Sequence, residues 1–366
     1  MIEHELNVAI VGLGYWGPNI LRTAFELEDV HVTTLCDKNP DALAKQARRY
    51  PSVHLTGEID AIVEDDSIDA VFIVTPISTH YPLAKRCLEA GKHVFVEKPL
   101  AESAAESEEL MDIAEERGLV LMPGHTFVYS PPVNTVKDLL DAGEIGEIFF
   151  GTSSRVNLGI HQSDVSVIRD LAPHDFSIMV HWLGAPSWVR AVARDAIVPG
   201  IMDVAFIDIG YPSGALIHLE LSWLSPTKMR RTVLVGREKM VVYEDTAQEQ
   251  VRVYDRGVEV IDPQNFGEHR LSYRSGDIVS PRIDADEPLR LEVSDFVQSI
   301  RDGREPHSNA QLGLEVVRLI EAAESSLAFN GAPVPVASPP KDRRHQPDRR
   351  RNISGMPAIS ALDIRE

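Results

Sequence analysis

The chain has 366 residues, of which 43% are hydrophobic and 25% charged, and this composition is typical of a globular protein long enough for two domains. Its formal net charge of −20 argues against general affinity for nucleic acid or for an anionic membrane surface. No apolar run approaches membrane-spanning length, and the first residues lack a signal-peptide pattern. Cys36 and Cys87 are interpreted as free buried thiols, so the sequence predicts a cytoplasmic protein.

The first motif is a glycine turn between a predicted strand and a predicted helix. The apolar run Val8–Val11 leads into Gly12-x-Gly14-x-x-Gly17, and apolar residues at helical spacing follow. In this context the first glycine makes a tight turn, the second lets the backbone approach a pyrophosphate, and the third lets the helix pack closely. The helix N-terminus then presents its N–H groups to the phosphates. The order of elements predicts dinucleotide binding.

A carboxylate after the second predicted strand supports the same interpretation. The strand that starts at Val30 ends at Asp37, where a carboxylate can accept hydrogen bonds from both hydroxyls of an adenosine ribose. The alternative is that Asp37 caps the next helix. Because its charge opposes a 2′-phosphate, NAD is the expected cofactor, and the neighbouring Lys38 leaves NADP as the alternative.

Strands and helices alternate from Leu6 to about Leu121, which predicts a parallel sheet covered by helices on both faces. Ligands of such sheets bind at the carboxyl ends of the strands. The predicted strands are Val8–Val11, Val30–Leu35, Val53–Leu55, Ala70–Val74, His93–Val96 and Val120–Met122, and the predicted helices are Asn19–Leu27, Asp41–Tyr50, Ile59–Glu64, Tyr81–Ala90 and Ala104–Arg117.

Two loops follow strand ends and are candidate sites. In the first, we expect Thr75, Pro76 and His80 to border the cofactor cleft, and the alternative is a plain loop in which Thr79 caps the next helix. The second contains Glu97-Lys98-Pro99, which comes directly after a buried strand.

In this second loop, Lys98 projects from the strand end into the cleft, where an ammonium can hydrogen-bond a substrate oxygen as its charge changes. The alternative is a surface ion pair within a turn.

Together these motifs resemble the Gfo/Idh/MocA family of nicotinamide-dependent oxidoreductases over roughly residues 5 to 330. The resemblance implies a Rossmann domain, a second α+β domain with a large, open, mostly antiparallel sheet, and hydride transfer at a secondary alcohol or its ketone. It also implies cofactor contacts from Tyr15 and Trp16 in the glycine turn and from Glu97 and Lys98. The stretch Gly14-Tyr15-Trp16-Gly17-Pro18-Asn19 resembles a branch that acts on sugars or nucleotide-linked sugars.

The substrate contacts are expected in the second half of the chain. By the same resemblance His125 lies near the substrate. Arg155 and Asn157 are candidate contacts in a predicted strand, and Arg155 would bind a phosphate or carboxylate. The alternative for Arg155 is a pair with one of the many acidic residues.

The catalytic pair is expected at Asp170 and His174, which are four residues apart and share one face of a helical turn. A carboxylate beside an imidazole orients the ring and favours its protonated form, and such a pair suits general-base catalysis. From the residues alone, a helix cap with an incidental histidine is favoured, with Pro173 in the first turn before a helix Phe176–Leu183. The family's D-x-x-x-H element falls on Asp170 and His174. Ala172 and Pro173 depart from its commoner form and leave the substrate open.

The remainder predicts an antiparallel sheet followed by two amphipathic helices. One sheet face, expected to carry Ile207, Ile209, Ile217 and Leu219, needs a cover, which predicts a homodimer or homotetramer formed through the sheet. The predicted strands are Glu147–Val156, Val189–Ala193, Val204–Tyr211, Ala215–Leu221, Arg231–Val235, Lys239–Tyr243, Val251–Tyr254 and Val258–Ile261, and the helices are Pro132–Ala142, Glu287–Arg301 and Ala310–Phe329.

The predicted organisation is a dinucleotide-binding Rossmann domain at 1–124, a substrate-binding and oligomerisation domain at 125–336, and a basic disordered tail at 337–366. The leading hypothesis is an NAD-dependent oxidoreductase of a sugar, nucleotide sugar or cyclic polyol, in which Lys98, Asp170 and His174 are catalytic. No metal-ligand spacing is present. The alternatives are an NAD-dependent glycoside hydrolase of the same family, which would release no net NADH, and a non-catalytic dinucleotide-binding module.

Overall fold

The first sheet has six parallel strands in the order β3-β2-β1-β4-β5-β6. The structure is a computed structural model that describes residues 5–159, 165–261 and 270–336, with the backbone alone for 258–261 and 270–273. Its elements are β1 Leu6–Val11, α1 Gly17–Phe25, β2 Val30–Cys36, α2 Pro40–Ala47, β3 His54–Thr56, α3 Asp60–Val63, β4 Ala70–Ile73, α4 His80–Glu89, β5 His93–Glu97, α5 Ala104–Arg117 and β6 Leu121–Gly124.

The central strand β1 shows why these segments read as continuous apolar runs. Val8 and Ile10 belong to the hydrophobic core on one face of the sheet, and Ala9 and Val11 belong to the core on the other. Helices cover both faces, so each of these four positions must be apolar. Because β1 pairs with both β2 and β4, the strand order reverses at β1, and the crevice outside its carboxyl end is where such sheets bind ligands.

The second sheet has nine strands in the order β14-β13-β12-β11-β7-β10-β9-β8-β15, antiparallel except for the β7–β10 pair. Its elements are α6 Pro131–Asp141, β7 Ile148–Leu158, α7 Val167–Leu183, β8 Trp188–Arg194, β9 Val204–Gly210, β10 Leu216–Ser222, β11 Leu224–Gly236, β12 Met240–Glu244, β13 Val251–Ile261, β14 Arg270–Val279, α8 Pro288–Asp302, α9 Ala310–Ala328 and β15 Val334–Pro335.

The assignment of side chains to the two faces of this sheet was wrong. Ile207, Ile209, Ile217 and Leu219 are at most 1% exposed, because they pack against α7 and α9 within the same chain. The open face instead carries the residues of opposite parity, which are more polar. Its exposed apolar side chains are Phe150, Val192, Phe206 and Leu216.

Two boundaries also differ from the prediction. Helix α7 begins at Val167, after a cap by Ser166, so Pro173 lies inside the helix rather than in its first turn. Buried apolar residues on both sides of Pro173 hold the helix together, and packing outweighs one missing N–H. Strand β13 continues through the expected turn at Arg256-Gly257, because β14, which the pattern did not reveal, pairs with it around a register shift.

The expectation for the two cysteines is confirmed. Cys36 and Cys87 are free and buried. Asn309 caps α9 by accepting a hydrogen bond from the Leu312 N–H at 2.9 Å. Within the described ranges, every helix is too short or too polar to span a bilayer. The predicted tail, 337–366, lies outside the described residues.

Candidate functional site

A cleft of about 400 Å³ lies at the carboxyl ends of the strands of the first sheet, against the start of α7. It collects the glycine turn, the loop after β4 and the end of β5, which the sequence places far apart. Its lining residues are Gly14, Tyr15, Val74, Thr75, Pro76, Ile77, Lys98, Pro99, Val165, Arg169 and Asp170.

The glycine turn fits a dinucleotide. Gly12 has a φ of 97°, and a Cβ there would overlap the Val74 carbonyl, while a Cβ at Gly17 would overlap the Gly12 carbonyl. Gly14 differs, since a Cβ there would meet no protein atom within 4 Å. Its space is open toward the cleft side of the turn, as a pyrophosphate requires. The N-terminus of α1 has no side-chain cap, so its amides are available to phosphates.

Two aromatic residues of this turn are placed differently. Tyr15 is 93% exposed and lines the cleft. Trp16 is partly buried and packs against the core at the start of α1. The two side chains expected to contact the cofactor therefore differ, because Tyr15 is exposed at the cleft and Trp16 is packed against the core.

Asp37 is bound to the glycine turn itself. Its Oδ2 accepts a hydrogen bond from the Leu13 N–H at 2.6 Å, and its Oδ1 accepts one from the Asn39 N–H at 2.7 Å. The capping alternative is wrong, because the side chain of Asn39 caps α2 by accepting from the Asp41 N–H. Asp37 thus joins the end of β2 to the turn, and each oxygen keeps a further lone pair for a hydroxyl.

The loop after β4 lines the cleft through Thr75 and Pro76. Thr79 stands before α4 but makes no capping bond, and its hydroxyl contacts Thr75 Oγ1 and the Pro76 carbonyl instead. His80 is only 1% exposed. Its Nδ1 lies 2.9 Å from the Pro99 carbonyl and its Nε2 lies 2.8 Å from the Thr75 carbonyl. His80 therefore joins the two loops from behind, and its ring does not face the cleft.

Lys98 reaches across the cleft to helix α7. Its Nζ donates to the Asp170 carbonyl at 2.9 Å and lies 3.8 Å from Asp170 Oδ1. Pro173 lies inside the helix and has no N–H to donate to the Arg169 carbonyl, four residues earlier. The next carbonyl along the helix, that of Asp170, accepts the hydrogen bond from the Lys98 ammonium. Burial lowers the pKa of Lys98, Arg155 lowers it further, and Asp170 and Glu97 oppose the shift. The alternative of a surface ion pair with Glu97 is wrong.

Asp170 does not orient His174 as expected. Its Oδ2 accepts a hydrogen bond from the Trp223 indole N–H at 3.1 Å, and its other oxygen faces Lys98. Within the described part of the chain it makes no hydrogen bond to His174. Helical spacing predicts that the two side chains share one face, but the Asp170 carboxylate instead binds Trp223, between β10 and β11, and Lys98, after β5.

His174 is a neutral imidazole rather than the charged one expected. Burial holds the pKa of His174 well below 6.5, and Lys98, Arg155 and Arg230 lower it further. Its ring meets the Phe127 ring edge-on at 5.1 Å between centroids. A neutral ring is the form that can accept a proton.

His125 is buried next to these groups. It is 1% exposed, and neither ring nitrogen has a hydrogen-bond partner among the residues that the structure describes. Burial and the charge of Lys98 lower the pKa of His125 to about 3. His125 follows β6 but is not among the residues that line the cleft, and its expected place near the substrate stays a prediction. A buried ring with no partner among the described residues is a group that a ligand or water can satisfy.

Arg155 forms an ion pair with an acidic residue, which was the alternative to a substrate contact. It is 3% exposed, and its Nε donates to Asp175 Oδ2 at 2.5 Å. Its Nη1 is buried with no partner in the described ranges. Asn157, two residues along β7, is half-buried and lies beside Gly159 near Trp223.

Four residues of this region had no signal in the sequence. Phe127 follows β6, Trp223 lies between β10 and β11, and Arg230 stands opposite Arg155 in β11. Glu292 of α8 is fully buried and accepts a hydrogen bond from Thr126 Oγ1. Burial and Glu97 raise the pKa of Glu292, and burial raises the pKa of Glu97 to about 7. Long-range strand pairing and helix docking place Trp223, Arg230 and Glu292, so local patterns could not find these three, whereas Phe127 lies two residues after His125.

Family comparisons agree with this architecture. Residues 6–125 match the model of the oxidoreductase family with an NAD-binding Rossmann fold, and residues 133–242 match the model of the GFO/IDH/MocA C-terminal domain. Together the two matches cover more than half of the chain. The chain belongs to the Gfo/Idh/MocA family. Like its relatives, this Gfo/Idh/MocA protein is an oxidoreductase with a nicotinamide dinucleotide cofactor.

Relatives across the Gfo/Idh/MocA family match nearly the whole chain. The scyllo-inositol 2-dehydrogenase (NAD(+)) of Bacillus subtilis is 27% identical over 354 residues, 91% of this chain and 97% of the relative. The 4-carboxy-2-hydroxymuconate-6-semialdehyde dehydrogenase of Sphingobium sp. is 25% identical over 340 residues, 89% of this chain and 100% of the relative. An oxidoreductase from Agrobacterium radiobacter, solved with NAD+, L-tartaric acid and magnesium, superposes with a TM-score of 0.76 at 20% identity, over 91% of this chain and 98% of that one.

Proposed function

We propose that this protein transfers hydride between nicotinamide and a CH–OH group of a sugar, nucleotide sugar or cyclic polyol. The observation that supports it most is the meeting of Lys98, from the end of β5, with the start of α7 at the cleft that also contains the glycine turn. An inositol dehydrogenase among the full-length relatives supports the polyol class.

The nicotinamide, when bound, supplies the hydride acceptor or donor. His174, neutral for the reasons given above, accepts the hydroxyl proton as the alcohol becomes a ketone. Lys98 donates a hydrogen bond to the same oxygen, and its charge stabilises the negative charge that develops there. Asp170 holds the ammonium in place and is itself held by the Trp223 indole.

The cofactor contacts are proposed along the turn and the two loops. The backbone of Gly12, Gly14 and Gly17 and the uncapped start of α1 bind the pyrophosphate. Asp37 accepts the ribose hydroxyls and favours NAD over NADP. The remaining contacts come from Tyr15, Trp16, Thr75, Pro76, Glu97 and Lys98, with His80 supporting the loops.

The decisive experiment measures cofactor reduction with a panel of inositols, sugars and nucleotide sugars. Substituting Lys98→Met is expected to lower kcat by about 10²- to 10⁴-fold while NAD still binds. Lys85→Met is the matched control, because Lys85 pairs with Glu109 away from the cleft. Turnover by Lys98→Met at the wild-type rate would refute the catalytic role given to Lys98, and product release without net NADH would indicate the hydrolase instead.

We also propose that two copies associate through the open face of the second sheet. Strand pairing places Phe150 beside Leu216 and Val192 beside Phe206, and each of these four side chains is at least 40% exposed. Exposed apolar pairs on a sheet favour a symmetric partner. Phe206→Asp should reduce the mass measured by light scattering, whereas Phe329→Asp, exposed at the end of α9, should not. A wild-type monomer at micromolar concentration would contradict this.

A further inference from the structure

Two arginines of the second sheet stand directly opposite each other, near His174. Strands β7 and β11 pair antiparallel, and their register sets Arg155 against Arg230. Like charges at directly opposed positions destabilise a sheet. The Phe127 ring lies against both guanidiniums, with centroid distances of 4.6 Å and 5.7 Å to their Cζ atoms. An arrangement that costs stability is expected where function requires it.

Among the described residues, each arginine has one acidic partner, and that partner uses only part of the donor edge. Arg155 donates through Nε to Asp175, and Arg230 donates through Nη1 to Asp245 Oδ2 at 2.9 Å. A guanidinium has five N–H donors, and Arg155 Nη1 is buried without an acceptor among the described residues. The Arg230 side chain is 34% exposed, so solvent and ligands can reach it. The pair therefore combines an accessible cation with a buried one whose Nη1 has no acceptor among the residues that the structure describes.

The arginine pair is close to the groups proposed to react. The Phe127 ring that contacts both guanidiniums also contacts the His174 ring. Both arginine charges act on His174, and the charge of Arg155 also acts on Lys98. A substrate whose hydroxyl lies at His174 can therefore place another of its groups against this pair.

We propose that the substrate carries an oxyanion, a carboxylate or a phosphate, which binds Arg230 at the surface and Arg155 behind it. This rests on the proposed function and narrows its substrate class to acidic sugars or polyols. The planar fork of a guanidinium matches both oxyanions, and a hydrogen bond between charged groups is about twice as strong as a neutral one. A neutral polyol would leave the buried donor of Arg155 unpaired.

The test compares matched neutral and acidic ligands on the NAD-loaded protein by titration calorimetry. The sets are D-glucose with D-glucuronate and D-glucose 6-phosphate, D-galactose with its two acidic counterparts, and myo-inositol with its 1-phosphate. We expect at least one acid to bind about tenfold more tightly than its neutral parent, and the better acid identifies a carboxylate or a phosphate as the source. If no acid binds better than its parent in any set, the inference is overturned.

Substitutions of Arg230 test whether the tighter binding of acids depends on this residue. Arg230→Gln should remove the advantage of the acid over its neutral parent, and Arg230→Lys should restore part of it, because the charge returns without the fork. Arg231→Gln is the control, since Arg231 is the next residue of the same strand, is exposed on the opposite face and lies 3.9 Å from Glu244. An advantage that survives Arg230→Gln would contradict the assignment.

The two proposals fail in different ways. Anion binding that depends on Arg230, without NAD reduction by any ligand, would refute the oxidoreductase substrate class and leave the oxyanion site. Turnover of neutral sugars, together with an Arg230→Gln variant that keeps the wild-type preference between an acid and its neutral parent, would support the oxidoreductase function. The same result would refute the oxyanion site.

Discussion

The two walls of the cleft are built by different means. The strand wall, formed by the glycine turn, the loop after β4 and Lys98-Pro99, is shaped by backbone that leaves strand ends. The helix wall, at the start of α7, is held by side chains that bind one another, such as Asp170 with Trp223 and, further along the helix, Asp175 with Arg155. Backbone shape follows from a few neighbouring residues, whereas each side-chain partner comes from a distant strand or helix. Substitutions should therefore act locally on the first wall and through partners on the second.

The largest effect is expected in the strand wall, from substitutions at Gly12 and Gly14 of the glycine turn. Gly12→Ala should destabilise the fold and abolish NAD binding, because its Cβ overlaps the Val74 carbonyl and its φ is 97°. Gly14→Ala should leave thermal stability unchanged, because its Cβ meets no protein atom, yet weaken NAD by about tenfold or more. Calorimetric titration measures the NAD affinity of each variant, and thermal melts measure its stability. Unchanged NAD affinity in Gly14→Ala would place the pyrophosphate elsewhere.

In the helix wall, Asp170→Asn should lower kcat by about tenfold, since the Lys98 ammonium loses its charged partner. Asp170 raises the pKa of Lys98, so the variant should also lose activity at a lower alkaline pH than the wild type. Trp223→Phe keeps the carboxylate but removes its indole donor, so its effect should be smaller and in the same direction. Equal activity of all three proteins would show that the Lys98–Asp170 contact has no role in turnover.

A smaller effect is expected in the strand wall on the preference for NAD over NADP. Asp37→Ser should weaken NAD by about tenfold and reduce the preference over NADP, because the carboxylate proposed to bind the ribose hydroxyls is removed. Asp41→Ser is the control, because Asp41 is exposed in the first turn of α2, two residues beyond the Asn39 backbone that Asp37 binds. A wild-type protein that prefers NADP would refute the assignment made to Asp37.

The smallest effect is a displacement of the acid limb of kcat/KM, which reports the free enzyme. Because the pKa of His174 lies well below 6.5, the ring stays neutral as the pH falls through 6.5, and the limb should lie below that value. Arg230→Gln removes one of the cations that disfavour protonation, so the pKa of His174 rises and the limb moves to higher pH. Arg231→Gln should leave it in place. A wild-type limb at or above 6.5 would contradict a neutral His174.

The first sheet was predictable nearly element by element, with α5 matched at both ends as Ala104–Arg117. The second sheet was predictable in its strands but not in its faces, as Ile207 and Ile217 show. A strand pattern states that alternate residues share a face, and it does not state which face a helix will cover. The same limit applies to the site, where Lys98 was found by its position after a strand and His125 by the family resemblance, while Arg230 and Trp223 were not predicted.

The sequence by itself determined the glycine turn, the position of Asp37 and the placing of Lys98 at a strand end, because each depends on residues within one strand–turn–helix unit. Only the tertiary structure decided that Asp170 binds Trp223 and Lys98, that His174 is neutral, and that Arg155 stands opposite Arg230. Those partners are joined by pairing and burial across distant parts of the chain. A charged side chain in such a place takes the partner and the protonation state that its buried surroundings allow, whatever its neighbours in sequence.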